Sequence, residues 1–365
     1  MSAPTPTVRH DDTSARFLRP SVRTMSPYVE ESEDGLNLMA NTNIFEPNPV
    51  IAHGLGDISP VRLQQYPSLT SQRLRNALAR LHGLSPEQIV TGNGSNDLID
   101  VVLRSVLGPG DTVAFHPPTF SMIETFIRLN HGTPVTVPLS SHDWSLDIDA
   151  MLAAQAKVTM VVRPNNPTGN AFPRADIERL VHESRGLVVV DEAYGEFFDE
   201  PSFMTELAAG ASNLVVLRTF SKAYGLAGLR VGYAAAPPQL AAGLEVVRAP
   251  FRLNAVAEEA AVAAVADPNY VANIRAAVQA ERPRMAAMLS AHGFVVSPSQ
   301  GNFLLARCPD DVAPPALVAA LAARGVHVRH FGGPLARHIR VTIGPNAATA
   351  SLAHALDEAL REVRA

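Results

Sequence analysis

Residues 187–191 read LVVVD, four apolar residues, three of them β-branched, that stop on an acid. Branched side chains suit a pleated backbone. A run that is apolar at every position, not every second one, predicts a strand buried on both faces. The same texture recurs in TVAF (112–115), PVTVPL (134–139), VTMVV (158–162), NLVVL (213–217) and RVGYAA (230–235). Helix-like segments flank or separate most of these runs. RADIERLVHES (174–184) is one, and NDLIDVVLRSVL (96–107), opened by the turn TGNGS, is another. LTSQRLRNALARLHGL (69–84) carries apolar residues at helical spacing and a Gly83 stop. Short apolar strands alternating with helices predict the α/β class: a mostly parallel central sheet covered by helices.

Past APFRLN (249–254) the texture changes. Two Ala-rich helical stretches, 255–266 and 269–292, lead into a smaller unit. Its strand candidates are NFLLAR (302–307), VHVRHF (326–331) and HIRVTIG (338–344), and its helices PPALVAALAARG and TASLAHALDEALREV. The expected organisation is a flexible tail over residues 1–20, rich in Pro, Ser and Thr, and a segment over 21–50 that packs with the small domain. A large domain follows over 51–253 and a small α/β domain over 254–365. A length of 365 residues suits one large and one smaller core.

Composition narrows the function. Charged residues are 18% of the chain and the net charge is −5, with no basic block, so a nucleic-acid surface is not expected. No apolar run reaches the ~18 residues that span a bilayer, and MSAPTPTVRHDDTSARF lacks the apolar centre of a secretory signal. Cys308 is the only cysteine, so no internal disulfide can form, and a reducing, cytoplasmic setting fits best. No Walker A, GxSxG or HExxH pattern occurs, and GNGSND lacks the third glycine of a dinucleotide fingerprint. His327 and His330 in HVRH have no cysteine pair to complete a zinc site, and no metal is expected.

Only two of the 30 basic residues are lysines, and one of them is Lys222 in RTFSKAYGLAGLR (218–230). Arginine holds a surface charge equally well. It cannot lose its proton near neutral pH and attack a carbonyl, as lysine can. Lys222 therefore signals amine chemistry, unless it is a remnant of drift toward arginine.

Ligands of open α/β sheets gather at the carboxyl ends of the strands. Those ends carry PNNPTG (164–169), DEAYGEF (191–197) and TFSKAYG (219–225), and GNGS (92–95) precedes a helix. Asp191 is either a buried ion-pair or capping acid or the partner of a protonated ring nitrogen. Asn166 sits in a Pro-rich turn that turn chemistry alone would explain. Gly94, Ser95 and Asn96 open a helix whose N–H groups suit an anion or an ordinary cap. Thr219, Ser221 and Arg230 suit a phosphate, although Arg230 also reads as a surface residue. Phe120 in HPPTF fits core packing or stacking on a flat ring.

The order and spacing of these motifs decide more than any one of them. NNPTG, DEAY and TFSK followed eight residues on by Arg230 resemble the fold-type I pyridoxal phosphate enzymes of the class I/II aminotransferase group, from about residue 25 to the end. VRTMSPY (22–28), LMANTN (38–43) and YPSL (66–69) are similar to segments of histidinol-phosphate aminotransferases. The resemblance implies that Lys222 forms the Schiff base, Asp191 pairs with the pyridine nitrogen, and Asn166 and Tyr194 hold the ring hydroxyl. It makes Lys222, Asp191 and Tyr194 the catalytic set. It implies that Ser95, Asn96, Thr219, Ser221 and Arg230 bind the cofactor phosphate, with Gly94 in the same turn and Tyr66 reaching in from a partner subunit of a homodimer. Phe120 would stack on the ring. Tyr28, Asn41, Arg329 and Arg340 would bind substrate, an amino donor exchanged against a 2-oxoacid.

Three departures from the family pattern bear on the substrate, one of them in the phosphate-site turn. The family's Asn-Glu-Asn reads Asn41-Thr42-Asn43, its Ala-Asp-Glu or Ser-Asp-Glu run reads GNGSND, and its C-terminal Gly-Thr reads Gly344-Pro345. Decarboxylases, racemases and oxidases share the cofactor machinery, an aromatic amino acid is an alternative donor, and an idle fold used for binding is a further class. Joint retention of Lys222, Asp191, Asn166, Tyr194 and Arg230 argues against the last.

Overall fold

A computed structural model describes residues 13–25, 27, 34–56 and 58–365. Tyr28, expected to bind substrate, lies outside the described residues. Of the expected tail, residues 1–12 also lie outside them, while Thr13–Phe17 forms a 3-10 turn and Pro20–Arg23 one helical turn. Arg19 donates to the carbonyl of Leu129 at 3.2 Å.

The strands, in chain order, are β1 (Leu36–Asn37), β2 (Ile89–Gly92), β3 (Thr112–Phe115), β4 (Thr133–Thr136), β5 (Val158–Val162), β6 (Leu187–Asp191), β7 (Leu214–Thr219), β8 (Gly232–Ala235), β9 (Val295–Val296), β10 (Phe303–Arg307), β11 (Val326–His327), β12 (Arg329–His330) and β13 (His338–Thr342). Seven form one sheet in the order β2-β8-β7-β6-β5-β3-β4. Strand β8 runs antiparallel to both of its neighbours, and every other pairing in the sheet is parallel. The fold is α/β with a mostly parallel sheet, as the apolar runs predict.

Strands β5, β6, β7 and β8 are buried almost throughout. Their side chains alternate between two cores, one on each face of the sheet. Val189, Val215 and Leu217 pack on one side with Leu98, Ile99 and Val102 of the helix Ser95–Val106. Val188, Val190 and Val216 pack on the other with Leu74, Leu78 and Ile177, in a core that continues through Phe303 and Ile339. The edge strand β4 is the most exposed of the seven and carries Pro134, which an edge tolerates because no donor is needed there.

Strands β12, β13, β10 and β9 form a second, antiparallel sheet in that order. The run VHVRHF, expected as one strand, divides in two. Val326 and His327 pair in parallel with Leu36 and Asn37, whereas Arg329 and His330 pair with Arg340 and Ile339. The chain changes sheets at Val328, which is buried. Strand β2 was not among the expected strands, because IVTG is short and ends in turn residues. The helix Ala255–Ala266 packs against Gln72–His82, where Arg73 and Glu259 form a salt bridge at 2.5 Å.

Register places the chemistry. Val162 is paired with Asp191, Asp191 with Leu217, Thr219 with Gly232 and Gly92 with Gly232. The motifs that end β2, β5, β6 and β7 therefore meet at one edge of the large sheet.

Candidate active site

A cavity of about 400 Å³ opens at that edge. Ser95, Asn96, Phe120, Asn166, Asp191, Tyr194, Thr219, Ser221, Lys222, Arg230 and Arg340 all line it. Segments far apart in sequence thus converge on one space, joined by Ala40, Thr42 and, from the small sheet, Arg340.

At one end lies the start of the helix Ser95–Val106. Gly94 precedes it with φ 84°, and no side chain caps its first N–H groups. A Cβ on Gly94 would lie 2.4 Å from Nη2 of Arg230, and one on Gly232 2.6 Å from the Ser95 nitrogen. Glycine at both positions lets β8 pass under the turn and lets the guanidinium rest on it. Arg230 donates to the Ser221 hydroxyl at 3.2 Å, Thr219 Oγ1 donates to the same oxygen at 3.0 Å, and the Ser221 N–H donates to Thr219 at 3.1 Å. A guanidinium, two hydroxyls and a helix N-terminus together form a cradle for a dianion.

At the other end is Asp191, buried at the close of β6. Its Oδ1 accepts the Ala193 N–H at 2.9 Å. Burial pushes its pKa up to about 7, against that N–H and the attraction of Lys222. An acid so placed favours either a proton or a cation in front of it.

Lys222 lies between the two ends. Its Nζ donates to the Ala40 carbonyl at 2.9 Å and stands 5.7 Å from the centre of the Tyr194 ring. Asn166 Oδ1 accepts from Arg340 Nη1 at 2.5 Å, and Arg340 also donates to the Met39 carbonyl. Phe120 is held through its neighbour, since Thr119 donates to Asn165 at 2.8 Å and Asn165 donates to the Pro118 carbonyl at 3.0 Å.

Three expected residues stand elsewhere. Tyr66 is 82% exposed and stacks on Phe251 at 4.6 Å, outside the cavity of its own chain. Arg329 is not in the cavity wall, although register sets it directly opposite Arg340. Asn41 is buried behind the wall and donates to the Tyr194 hydroxyl at 3.1 Å.

Sequence reading missed Ala40, Thr42, Met122, Val162, Ala193 and Ala227 in the wall. Small and apolar residues carry no chemical signal of their own, and only the Asn41-Thr42-Asn43 departure drew attention to Thr42. It also missed a buried ion triad beneath the site. Arg218 bonds Glu192 at 3.0 Å and Glu196 at 2.8 Å, joining the segment after Asp191 to the strand that ends at Thr219. Burial raises the Glu196 pKa, with Arg218 opposing it. Burial works against the charge on Arg218 too, but Glu196 and Glu192 hold its pKa above the ordinary value.

Residues 33–358 match the family model described as aminotransferase class I and II. The chain belongs to that family. It is 37% identical over 358 residues to the histidinol-phosphate aminotransferase of Desulfitobacterium hafniense, covering 94% of this chain and 98% of that one. Identity is again 37% to the histidinol-phosphate aminotransferase of Anaeromyxobacter sp., over 89% of this chain and 94% of the relative. The crystal structure of histidinol-phosphate aminotransferase from Sinorhizobium meliloti in complex with pyridoxal-5'-phosphate superposes with a TM-score of 0.86. That match is 29% identical and covers 95% of this chain and 98% of that one.

Aminotransferases of this class use pyridoxal phosphate, and the donor set of this aminotransferase meets its demands. The cradle at the helix end suits a phosphate, the buried acid suits a protonated ring nitrogen, and among the described residues the only amine in the wall is that of Lys222.

Proposed function

We propose that this aminotransferase takes the amino group of histidinol phosphate, or a close relative of it, and passes it to a 2-oxoacid such as 2-oxoglutarate. The observation that carries the reading is the convergence of Lys222, Asp191 and the Ser95–Ser221–Arg230 cradle in one cavity. Near-full-length identity to histidinol-phosphate aminotransferases supports the donor.

In this reading Ser95, Asn96, Thr219, Ser221 and Arg230 hold the cofactor phosphate, with Gly94 leaving them room. Phe120 covers one face of the ring, and Asn166 and Tyr194 hold its hydroxyl. When bound, the cofactor supplies an aldehyde carbon that takes the donor's amine and a ring that accepts the electrons of the breaking C–H bond. Asp191 keeps the ring nitrogen protonated, and its own raised pKa falls once that cation stands before it. Lys222 holds the cofactor covalently between turnovers, and its amine moves the proton leaving the donor's amine-bearing carbon. Arg340, with Arg329 opposite and Tyr28, binds the donor's anionic end.

A second copy of the chain completes the enzyme. Val61, Leu63, Tyr66 and Leu69 are all exposed on one short segment, with Phe251 stacked beside Tyr66. An apolar run of this kind suits burial against a partner, with Tyr66 reaching the partner's cradle. A cytoplasmic setting fits the single buried Cys308. Among the described residues no helix is long and apolar enough to cross a membrane.

The test is a screen of amino donors against 2-oxoglutarate, pairing each phosphorylated donor with its unphosphorylated counterpart. Histidinol phosphate should be the best substrate, and Lys222→Ala should abolish its turnover. A preference for unphosphorylated aromatic amino acids would overturn the donor assignment. Normal turnover by Lys222→Ala would overturn the mechanism.

A further inference from the structure

Asn41 is a polar residue only 1% exposed, and it sits in left-handed backbone with φ 52°. All of its hydrogen-bonding groups are engaged. Its N–H donates to Thr342 Oγ1 at 3.0 Å and its carbonyl accepts from Asn302 Nδ2 at 3.1 Å. The side-chain Oδ1 faces the Thr342 hydroxyl at 3.3 Å, and Nδ2 donates to the Tyr194 hydroxyl oxygen at 3.1 Å. The Thr342 hydroxyl has one proton and two acceptors in reach, Asn41 Oδ1 and the Leu38 carbonyl at 2.8 Å, and that carbonyl already takes the Thr342 N–H at 2.8 Å. With that carbonyl served by the N–H, the hydroxyl proton serves Oδ1, and the amide nitrogen then faces Tyr194.

We propose that Asn41 is a positioning residue for Tyr194: by donating to the phenol oxygen it turns the phenol's own proton toward the cavity. A phenol has one proton to give and two lone pairs to offer. A donor that occupies a lone pair leaves the hydroxyl to act as a donor elsewhere, and it strengthens that donation by polarising the O–H bond. The Tyr194 ring is fixed edge-on against Phe303, with centroids 5.0 Å apart, so the hydroxyl has little freedom to turn away. The backbone explains the residue type. Left-handed φ suits Gly, Asn or Asp, and of these only Asn carries an N–H donor.

The inference rests on the reading that Tyr194 holds the ring hydroxyl of bound pyridoxal phosphate. A donor to that ring oxygen favours its unprotonated form, so weakening the donor raises the pH at which the visible absorbance of the bound cofactor titrates. Lys222, Asp191 and Arg340 face the same cavity and remain in every variant of the test.

The experiment titrates that absorbance with pH, without substrate, in the reconstituted wild type and in Asn41→Asp, Asn41→Gly, Tyr194→Phe and Asn41→Asp/Tyr194→Phe. All keep a backbone-compatible residue at position 41. Asn41→Asp replaces the donor by an acceptor that draws the phenol proton away, so its titration should move up by about one pH unit. Asn41→Gly should move it less in the same direction. The double variant should match Tyr194→Phe, because Asn41 acts through the phenol. A role confined to stability would lower melting temperatures and leave the titration where it is. If Tyr194→Phe shifts the titration and the Asn41 variants do not, the positioning role is wrong while the role of Tyr194 stands. If Tyr194→Phe itself shifts nothing, both readings fall.

Discussion

Arg329 and Arg340 stand directly opposite each other on the antiparallel strands β12 and β13. Like charges at facing positions repel. Arg340 is held by Asn166 and the Met39 carbonyl at the cavity wall. A substrate phosphate between the two guanidinium groups would turn repulsion into a clamp. Arg329→Ala should then weaken a phosphorylated donor by one to two decades in kcat/KM, the size of a lost charge-assisted contact of roughly 1.5–3 kcal/mol. An unphosphorylated donor should lose far less. Arg340→Ala should weaken both, because it also loosens Asn166. Equal losses from Arg329→Ala with both donors would show that Arg329 does not read a phosphate.

Asp191 gives the cofactor-free protein a pH dependence of unusual sign. Burial lifts its pKa to about 7 in the folded chain, against the ordinary value of 3.8. Between those limits the folded state holds a proton that the unfolded state has released, so stability falls as pH rises. The contribution is intact below about pH 4 and is lost as pH climbs through 7. Denaturant midpoints of the cofactor-free protein should decline over that window, and Asp191→Asn should flatten the decline. The same variant should fold with cofactor bound yet lose most turnover, because an amide cannot hold a pyridinium. Near-normal rates in Asp191→Asn would contradict the ring-nitrogen role.

Gly94 tests the cradle without replacing a charged residue. Alanine there would meet left-handed backbone at φ 84° and place its Cβ 2.4 Å from Arg230 Nη2. Either the turn or the guanidinium must move. Gly94→Ala should weaken cofactor binding at least tenfold by equilibrium dialysis, with a smaller loss of thermal stability than of affinity. Unchanged affinity would mean that Arg230 does not need its place on the turn.

Much of this site was legible because strong apolar strands end on polar residues. VTMVV and LVVVD fall on β5 and β6 to the residue, and the groups that follow them line the cavity. What stayed hidden depends on pairing that no local pattern carries. VHVRHF alternates like one strand, yet its two halves serve different sheets. Asn41 reads as a pocket residue, yet its position between Thr342 and Tyr194 places it behind the wall. Arg218, Glu192 and Glu196 are spread over 27 residues of sequence, and only the adjacency of β6 and β7 brings them together.

Tyr66 tests the shared site. Tyr66→Ala should preserve the monomer fold, since the side chain is 82% exposed and stacks on Phe251. It should strip the proposed dimer of cofactor and so of activity. Mixing inactive Tyr66→Ala with inactive Lys222→Ala should restore about a quarter of wild-type activity, because half of the dimers are hybrids and each holds one intact site in two. Activity of a monomer by light scattering would rule out the shared arrangement.

The Arg218 triad couples stability to catalysis. Arg218 lies immediately before Thr219 and is tied to Glu192, the residue after Asp191. Its other partner, Glu196, has a buried Oε2 with no further hydrogen bond. Removing the guanidinium strands the buried Glu196 carboxylate, whereas Glu192 keeps its bonds from the Ser202 hydroxyl and the Phe203 N–H, a loss in the range of about 3–5 kcal/mol for a broken buried pair. Burial already raises the Glu196 pKa and Arg218 opposes it, so Arg218→Ala should be most destabilised at neutral pH and should recover part of the loss as pH falls and Glu196 takes a proton. Arg218→Met with Glu192→Gln and Glu196→Gln removes the charges together and should recover most of the stability. If the triad only stabilises, that triple variant should also regain full turnover. If it holds Asp191 and Thr219 in register, kcat should stay low while the melting temperature returns. Separate measurements of kcat, KM and thermal unfolding on the three proteins decide between these outcomes, and the tie from the residue before Thr219 to the residue after Asp191 predicts the second.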